Sequence, residues 1–573
     1  MLNQDWKIAK TVPREFLKKF PEYPPIVGQL LYNRGITTQA LVDEFVNPDY
    51  EQDLHDPLLM KDMDRGVARI LKALAKKEKI LIHGDYDADG VSGAVLLFDV
   101  LKGLKAEVEV FLPSRQEGGY GMNQDAIKKF KNDGINLIIS VDCGITNVAE
   151  VALAKKLGMD VVVTDHHTVP EKIPEADAVI NPSRPGDKYP FKKLAGVGVA
   201  FKMIQALKQK LPPGQKLAQS EKWYLDLVAV GTVADCAPII GENRTLVKYG
   251  LQVLARTKRA GLRSLMERSQ VDLSGLDTYD IGFRIGPRLN AAGRLKHSQI
   301  AFDLLMADSG EKALSLAQEL DLINRQRQVI TDKFMKEAET QIGEVTDEKS
   351  LLVAYSENWP SGVVGLVAGK LCERHARPVL ILEKKATFSV GSARSTAKFN
   401  IIEAIRLCDD LLEKHGGHSQ AAGCTVPNKN LEIFAQRLKE VAKKKLTPDD
   451  LRSELVIDAV LDPAQINWDL HDSLRLFEPH GFSNEKPRFA SKQLLVAGVR
   501  AVGNQGKHLK LDLRAKEAPA KVIPAIAFGF GEMVNRINFQ DTVDVAYELE
   551  ANEWNGNREL QLNILDIRTN VKE

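Results

Sequence analysis

Between residues 79 and 237 the chain repeats one unit, a short apolar strand, a polar turn and an amphipathic helix. KILIH, AEVEVFLP, NLIISVD, DVVVTD and ADAVINP read as strands, with GVSGAVLLFDVLKG and ITNVAEVALAKKLG as helices among them. Strands that are apolar throughout and alternate with helices are buried on both faces, so the repeat predicts a parallel sheet covered by helices. The carboxyl ends of such strands open onto one crevice, where ligands bind. Four apolar runs, read as strands, end in the same kind of residue. ILI ends in His83, LIISV in Asp142, VVVT in Asp165-His166-His167, and LVAVGTVA in Asp235.

The stretch ILIHGDYDADGVSG adds Asp85, Asp87 and Asp89 to this set. Like charges this close repel and raise one another's pKa values unless a counter-charge holds them. Carboxylates and imidazoles without thiolates suit Mn or Mg bridged through oxygen, or Zn. More than four candidate ligands suggest two ions sharing a bridging carboxylate, the pair that clamps an in-line displacement at phosphorus. Gly84 and Gly90 would let the backbone turn tightly beneath them. Each motif alone has a plainer reading. The DxD could cap a helix, Asp142 could cap the helix after Gly144, and His166-His167 could be a polar turn. Their recurrence at corresponding strand ends favours the metal.

A chain of 573 residues exceeds one hydrophobic core. We expect a helical N-terminal extension (1–61), the first α/β domain (62–298), a connecting helical segment (299–343), a smaller α/β domain (344–447) and a β-barrel domain (448–573). Asp62 or Asp64 could cap the helix DRGVARILKALAKKEK. From Ser309 to Ile342 helical spacing continues without Pro or internal Gly, which predicts a long bridging helix. LLVAYS, PVLILE and FSVGSARS then read as strands, with helices around VVGLVAGKLCERH and IIEAIRLCDDLLEKH. HLKLDL, VDVAYELEA and ELQLNILDI alternate apolar and polar residues as half-exposed antiparallel strands do, and Asn555-Gly556 signals a hairpin. An OB-type barrel fits these strands, so the expected fold is two α/β domains joined by a long helix, plus a C-terminal OB-like barrel. The formal charge of +1 neither favours nor forbids nucleic acid. The five cysteines form no disulfide frame, which fits a reducing compartment. MLNQDWKIAKTVPREF has no apolar core of signal-peptide length, and no later run approaches a membrane span, so a cytoplasmic location is expected.

HGDYDADGVSG, SVDCGI, TDHH followed by INP, and VADCAP resemble in order the successive motifs of the DHH phosphoesterase superfamily. IGPRLNAAGRL, at 285–295, is typical of its subgroup of bacterial single-strand-specific DNA exonucleases, and GGHSQAAG, at 416–423, resembles the glycine-rich signature of the DHH-associated second domain. The resemblance covers nearly the whole chain. It implies His83, Asp87, Asp89, Asp142, His166 and Asp235 as metal ligands, with Asp142 bridging, and His167 as the imidazole that touches the scissile phosphate. Asp85 lies outside the shared spacing and is held as a supporting or alternative ligand. Asp165 is expected to orient a histidine rather than bind metal.

Three segments speak to the substrate. In PSRQEGGYG, Arg115 can grip phosphate through its fork of donors and Tyr120 can stack on a base. The resemblance assigns them to the terminal 5′ phosphate and a nearby base. It adds Ser392 and Arg394 of GSARST to that phosphate pocket, although edge-strand polarity would equally explain a Ser-x-Arg. GGHSQAAG offers amides that could cradle phosphate, with His418 as a contact, or else a turn ending a helix at His415. FRIGPRLNAAGR carries Arg284, Arg288, Asn290 and Arg294 with only Phe283 for an aromatic, which reads as grip on a nucleic-acid backbone or as a salt-bridged linker.

The implied activity is 5′-to-3′ hydrolysis of single-stranded DNA to 5′-mononucleotides with two divalent ions, Mn2+ or Mg2+, in recombination and repair. Implied partners are a single-strand-binding protein and a repair helicase, with the chain itself a monomer. Two rivals are a phosphodiesterase of the same superfamily acting on oligoribonucleotides or cyclic dinucleotides, and a non-catalytic single-strand-binding replication scaffold. Length and the C-terminal strands argue against the first, and the full ligand set against the second.

Overall fold

The computed structural model describes residues 4–113, 121–516, 520–554 and 556–569. The first sheet comprises β1 (Ile80–Gly84), β2 (Val108–Phe111), β3 (Leu137–Val141), β4 (Asp160–Thr164) and β5 (Ala178–Ile180), all parallel, in the order β2-β1-β3-β4-β5. The winding direction reverses between β1 and β3, the switch point where doubly wound sheets open their crevice. Both faces are covered, as the continuous apolar strands require. Ile80, Ile82, Leu137, Ile139 and Val162 belong to one core, and Leu81, Ile138, Val161 and Val163 to another.

The first core is closed by helices α1 (Ala88–Gly103), α2 (Gly196–Lys210) and α3 (Leu225–Ala234). Helix α3 contains LVAVGTVA, so the expected fourth strand is a helix. Its residues 225–232 are all buried between neighbouring helices, and an apolar run buried all round carries no periodicity to separate helix from strand. Asp62 does occupy the position before the helix Met63–Lys76, but it makes no capping bond. Its carboxylate is taken by Arg65 and Arg184.

After α4 (Gly286–Leu295) comes the long helix α5 (Gly310–Ile342), begun by Ser309 Oγ, which accepts from the Lys312 amide at 3.3 Å. Its first half buries Ala317, Leu320 and Ile323 in the core of the first domain, and its second half buries Phe334, Met335 and Ala338 against α6 (Ser361–His375). One helix is thus part of two cores, which fixes the second domain beside the first. That domain is a sheet of β6 (Leu352–Ser356), β7 (Val379–Lys384), β8 (Phe388–Arg394), β9 (Lys414–Gly417) and β10 (Ala421–Pro427), in the order β9-β10-β8-β7-β6. Here IIEAIRLCDDLLEKH departs from expectation: the α-helix spans only Ile401–Arg406, and Lys414–Gly417 pairs with β10 instead. Sheet pairing outweighs the local helical preference. The glycine pair of GGHSQAAG therefore lies in a strand and does not end a helix, and Ser392 and Arg394 stand on an internal strand, not an edge.

The C-terminal strands β11 (Arg488–Val502), β12 (His508–Arg514), β13 (Val522–Ala527), β14 (Thr542–Trp554) and β15 (Asn557–Thr569) run β11-β12-β13-β15-β14, and β14 pairs back onto β11 to close an OB-like barrel. Leu509, Leu511 and Leu513 fill its interior at the expected alternation. Asn555 of the expected Asn555-Gly556 turn lies outside the described residues. The N-terminal segment is mainly helical but also contributes a strand, Asp5–Ile8, parallel to Glu454–Ile457, and it packs Phe16, Leu30 and Val42 into the barrel core. Arg244 ties these parts to the first α/β domain. Fully buried, it donates to the carbonyls of Phe45, Leu476, Phe477, Glu478 and Pro479. Among the described residues no helix is long and apolar enough to cross a membrane.

Candidate metal centre

Register explains why acids distant in sequence meet. Gly84 pairs with Val141, and Val141 with Thr164, so the next residues, Asp85, Asp142 and Asp165, leave the sheet at one level. The ladder continues one rung further, with the Asp85 amide on Val141 O (3.2 Å), the Asp142 amide on Thr164 O (3.0 Å) and the Asp165 amide on Ile180 O (3.0 Å). Asp142 then turns with φ of +61°, a left-handed conformation that few residues other than glycine adopt. Gly144 completes the turn at φ +114°, where a Cβ would stand 2.6 Å from Ser140 Oγ.

The remaining acids arrive from helix ends. Asp87 caps α1, its Oδ1 accepting from the amides of Asp89 (3.0 Å) and Gly90 (3.1 Å). Asp89 accepts from the amides of Gly196 (2.7 Å) and Val197 (2.8 Å) at the start of α2. Asp235 ends α3, and Gly231 one turn earlier admits Asp89, whose Oδ1 would stand 2.8 Å from any Cβ there. Gly90 matters for close approach rather than for turning: its Cβ would meet the Asp85 backbone at 2.6 Å.

Ligand atoms of Asp142, His166 and His167 all lie within 4.8 Å of one another, as do those of Asp89, His166 and Asp235, and those of Asp85, Asp87 and Asp142. The groups share Asp142 and His166, with His166 Nε2 only 3.0 Å from Asp142 Oδ1. Asp85 is thus inside the cluster. His83 is buried at the end of β1 against Cys143 Sγ, 3.6 Å from its Nδ1. His83 Nε2, His166 Nε2 and Asp85 Oδ1 are buried without a hydrogen bond, an expensive condition unless another group meets them.

Electrostatics points the same way. Burial, reinforced by the neighbouring aspartates, pushes Asp85 and Asp142 well up, Asp89 to about 7 and Asp235 to about 9. Burial holds His166 and His83 down at about 4, neutral and ready to donate lone pairs. Without cations, burial and mutual repulsion disfavour the ionised forms of Asp85, Asp89, Asp142 and Asp235. Buried imidazole nitrogens and crowded carboxylates are a donor set that fits hard or borderline divalent ions.

Asp165 stands apart from the acids that crowd one another. Its Oδ1 accepts from the amides of His166 (2.8 Å) and His167 (3.0 Å) and lies 2.8 Å from His167 Nδ1, while Oδ2 accepts from the Ile145 amide at 2.9 Å. Burial alone would raise its pKa, but His167 outweighs burial and lowers it. Burial would lower His167, but Asp165 outweighs it and lifts His167 to about 9. Asn181, of the INP motif, donates to the His167 carbonyl at 2.9 Å.

The other expected residues divide. Arg115 and Tyr120 lie outside the described residues. His418, on the β9–β10 turn, reaches the catalytic rim, with Nδ1 3.3 Å from Thr168 Oγ1. Arg394 pairs in register with Ala421 beside that turn, and its Nη1 donates to Ser392 Oγ at 3.0 Å. Asn290 points inward: its Oδ1 accepts from the Ala88 amide at 2.7 Å. Arg288 is engaged by Asp321 of α5 at 2.9 Å, Arg284 by Asp280 at 3.0 Å, and Arg294 donates to the Gly362 carbonyl at 3.4 Å. IGPRLNAAGRL thus braces the metal loop and the interdomain joint, and Gly293 admits the Tyr86 carbonyl where a Cβ would stand 2.5 Å away. The sequence reading missed Gly196 and Val197 as the clamp on Asp89. AGVGVAF, small residues opening a helix, was the available signal.

Three family models match the chain: the DHH family N-terminal domain at residues 79–232, the DHHA1 domain at 348–444, and the RecJ OB domain at 457–566. The single-stranded-DNA-specific exonuclease RecJ of Bacillus subtilis is 36% identical over 544 residues, covering 95% of this chain and 68% of that protein. The Escherichia coli protein of the same name is 32% identical over 572 residues, covering 95% and 96%. Among solved structures, RecJ from Thermus thermophilus in complex with Mn2+ superposes with a TM-score of 0.84 at 30% identity, covering 98% of this chain and 79% of that one. A complex of the same protein with Mg2+ gives 0.78 at 28% identity, with 98% and 78% covered.

Proposed function

The chain belongs to the RecJ family of DHH exonucleases, and on that premise we propose that it removes 5′-mononucleotides stepwise from single-stranded DNA, in recombination and repair. The observation that supports the reading is the convergence of Asp85, Asp87, Asp89, Asp142, His166, His167 and Asp235 on one rim, with His166 Nε2 and Asp85 Oδ1 buried there without a hydrogen bond.

His83, Asp87, Asp89, Asp142, His166 and Asp235 would hold the two divalent ions, Mn2+ or Mg2+, with Asp142 as the ligand expected to serve both and Asp85 in support. When bound, such a pair supplies the positive charge that acidifies a water and polarises the phosphoryl oxygens. The protein's own residues prepare the rest. Helix ends fix Asp87 and Asp89, so the remaining lone pairs of their carboxylates hold position without reorganisation. Asp165 takes His167 Nδ1 and keeps the ring charged, which leaves Nε2–H to donate to the oxygen on which charge develops.

End recognition draws on both α/β domains. Ser392 and Arg394, with Arg115, hold the terminal 5′ phosphate, Tyr120 stacks on the adjacent base, and His418 contacts the nucleotide from the turn that meets Thr168. Arg284 and Arg288 steady the DNA backbone with whatever donor capacity Asp280 and Asp321 leave. The family resemblance supports a cytoplasmic, monomeric protein working with a single-strand-binding protein and a repair helicase.

The test is degradation of a 5′-phosphorylated single strand labelled at either end, in Mn2+. Mononucleotides should appear first from the 5′ end, and duplex of the same sequence should persist. Release from the 3′ end, or none, would overturn the proposal.

A further inference from the structure

The metal centre opens on one side into a cavity of about 470 Å³ whose lining includes His166, Lys192, Lys193, Asp235, Cys236 and Pro238. Thr168, which the β9–β10 turn meets through His418, also lines this cavity. Where the cavity wall continues beyond Pro238, the Ile239 amide donates to the Phe482 carbonyl at 2.8 Å. Phe482 sits at the tip of a tight turn closed by reciprocal bonds between Gly481 and Asn484, and its side chain is 59% exposed. Thr278 Oγ1 donates to the His480 carbonyl at 2.6 Å, which joins this turn to the π-helical segment Asp280–Ile285.

That segment packs on the end of α3. A Cβ at Gly286 would stand 3.1 Å from Ala234 Cβ, one residue before Asp235. It displays Tyr279 and Phe283, 54% and 68% exposed, stacked on each other at 4.6 Å with planes 25° apart. The wide π-helical turn brings positions four apart almost into line, and such turns recur at functional sites. Rings held this openly keep apolar area in water at a cost, which a ligand with flat faces relieves.

We propose that Tyr279, Phe283 and Phe482 form a base-stacking platform for the DNA strand on the 3′ side of the scissile phosphate, reached through the cavity past Lys193. The inference rests on the reading of the chain as a single-strand nuclease and says where the uncut strand runs. Three arguments select bases rather than an apolar peptide: the elements that carry the rings join the chain beside the cavity, at Ile239 and Ala234, the cavity carries lysines suited to phosphate, and a stacked, near-parallel ring pair matches the repeat of stacked bases. Stacking is tolerant of sequence, as stepwise removal of every nucleotide needs.

The test measures binding of the full chain to oligo-dT of increasing length by fluorescence anisotropy, in EDTA so that nothing is cut. The parent should gain affinity from a tetranucleotide to a 20-mer. In Y279A/F283A and in F482A the affinity for the 20-mer should drop about tenfold or more. Phe283→Trp should keep the affinity and show indole emission quenched by the 20-mer. Unchanged 20-mer affinity in both alanine variants, at unchanged melting temperature, would overturn the platform. If the parent itself binds no single strand, the underlying reading fails instead.

Discussion

Asn290 Oδ1 accepts a hydrogen bond from the Ala88 amide at 2.7 Å, across 202 residues of sequence. This bond sets the backbone between Asp85 and Asp89 from outside the loop that carries them. Asn290→Ala leaves that donor without its partner and the loop free to relax. Mn2+ affinity, measured by titration calorimetry, should fall about 10- to 100-fold, the usual effect of removing a group that orients ligands. Unchanged affinity would mean that the loop holds itself.

The Asp165–His167 pair separates charge from shape. Asp165→Asn keeps an oxygen beside His167 Nδ1 but removes the carboxylate that outweighs burial and lifts the imidazole to about 9. In the metal-free variant the His167 pKa, followed by NMR titration, should drop by at least one unit. The maximal rate should fall with it, while binding of the strand changes little.

The acids carry a pH signature. Asp89 and Asp235 are raised to about 7 and about 9, so between pH 4 and 9 the metal-free folded protein holds protons that the unfolded chain has released. Its stability must therefore decline as pH rises through that window. The melting temperature of the metal-free protein should fall from pH 5 to pH 8, and the gain on adding Mn2+ should grow. Mn2+ binding at pH 7 should release protons, measurable in weak buffer.

Arg244 holds domains rather than chemistry. Five carbonyls from two distant segments converge on its guanidinium, and the Phe45 ring lies 3.9 Å from it. Arg244→Ala strands buried acceptors that cost about 1 to 3 kcal/mol each when unmet, relieved in part by water. Thermal unfolding should shift down by several degrees, and limited proteolysis should open first around residues 476–479.

Much of this was legible in the sequence because parallel strands convert spacing into geometry. Once ILIHG, LIISV and VVVT were strands in register, Asp85, Asp142 and Asp165 had to emerge together. What escaped depended on contacts that no local pattern encodes. LVAVGTVA became a helix because it is buried on every side, yet Asp235 still arrives at the rim, since either element can end there. The ion pairs of FRIGPRLNAAGR escaped as well: Asp321, buried on α5, draws in Arg288 of that stretch together with Arg268 and Arg325 from outside it. The isolated aspartate within a long amphipathic helix announces none of this. His418 was found from its glycine-rich surroundings, while its neighbour Thr168 was not, because the contact joins two domains.

The most direct measurement is anomalous diffraction at the manganese edge from a crystal of this protein grown with Mn2+. Two peaks should lie among His83, Asp87, Asp89, Asp142, His166 and Asp235, with the Asp142 carboxylate touching both. An empty rim, or ions bound elsewhere while these side chains keep to themselves, would contradict the account.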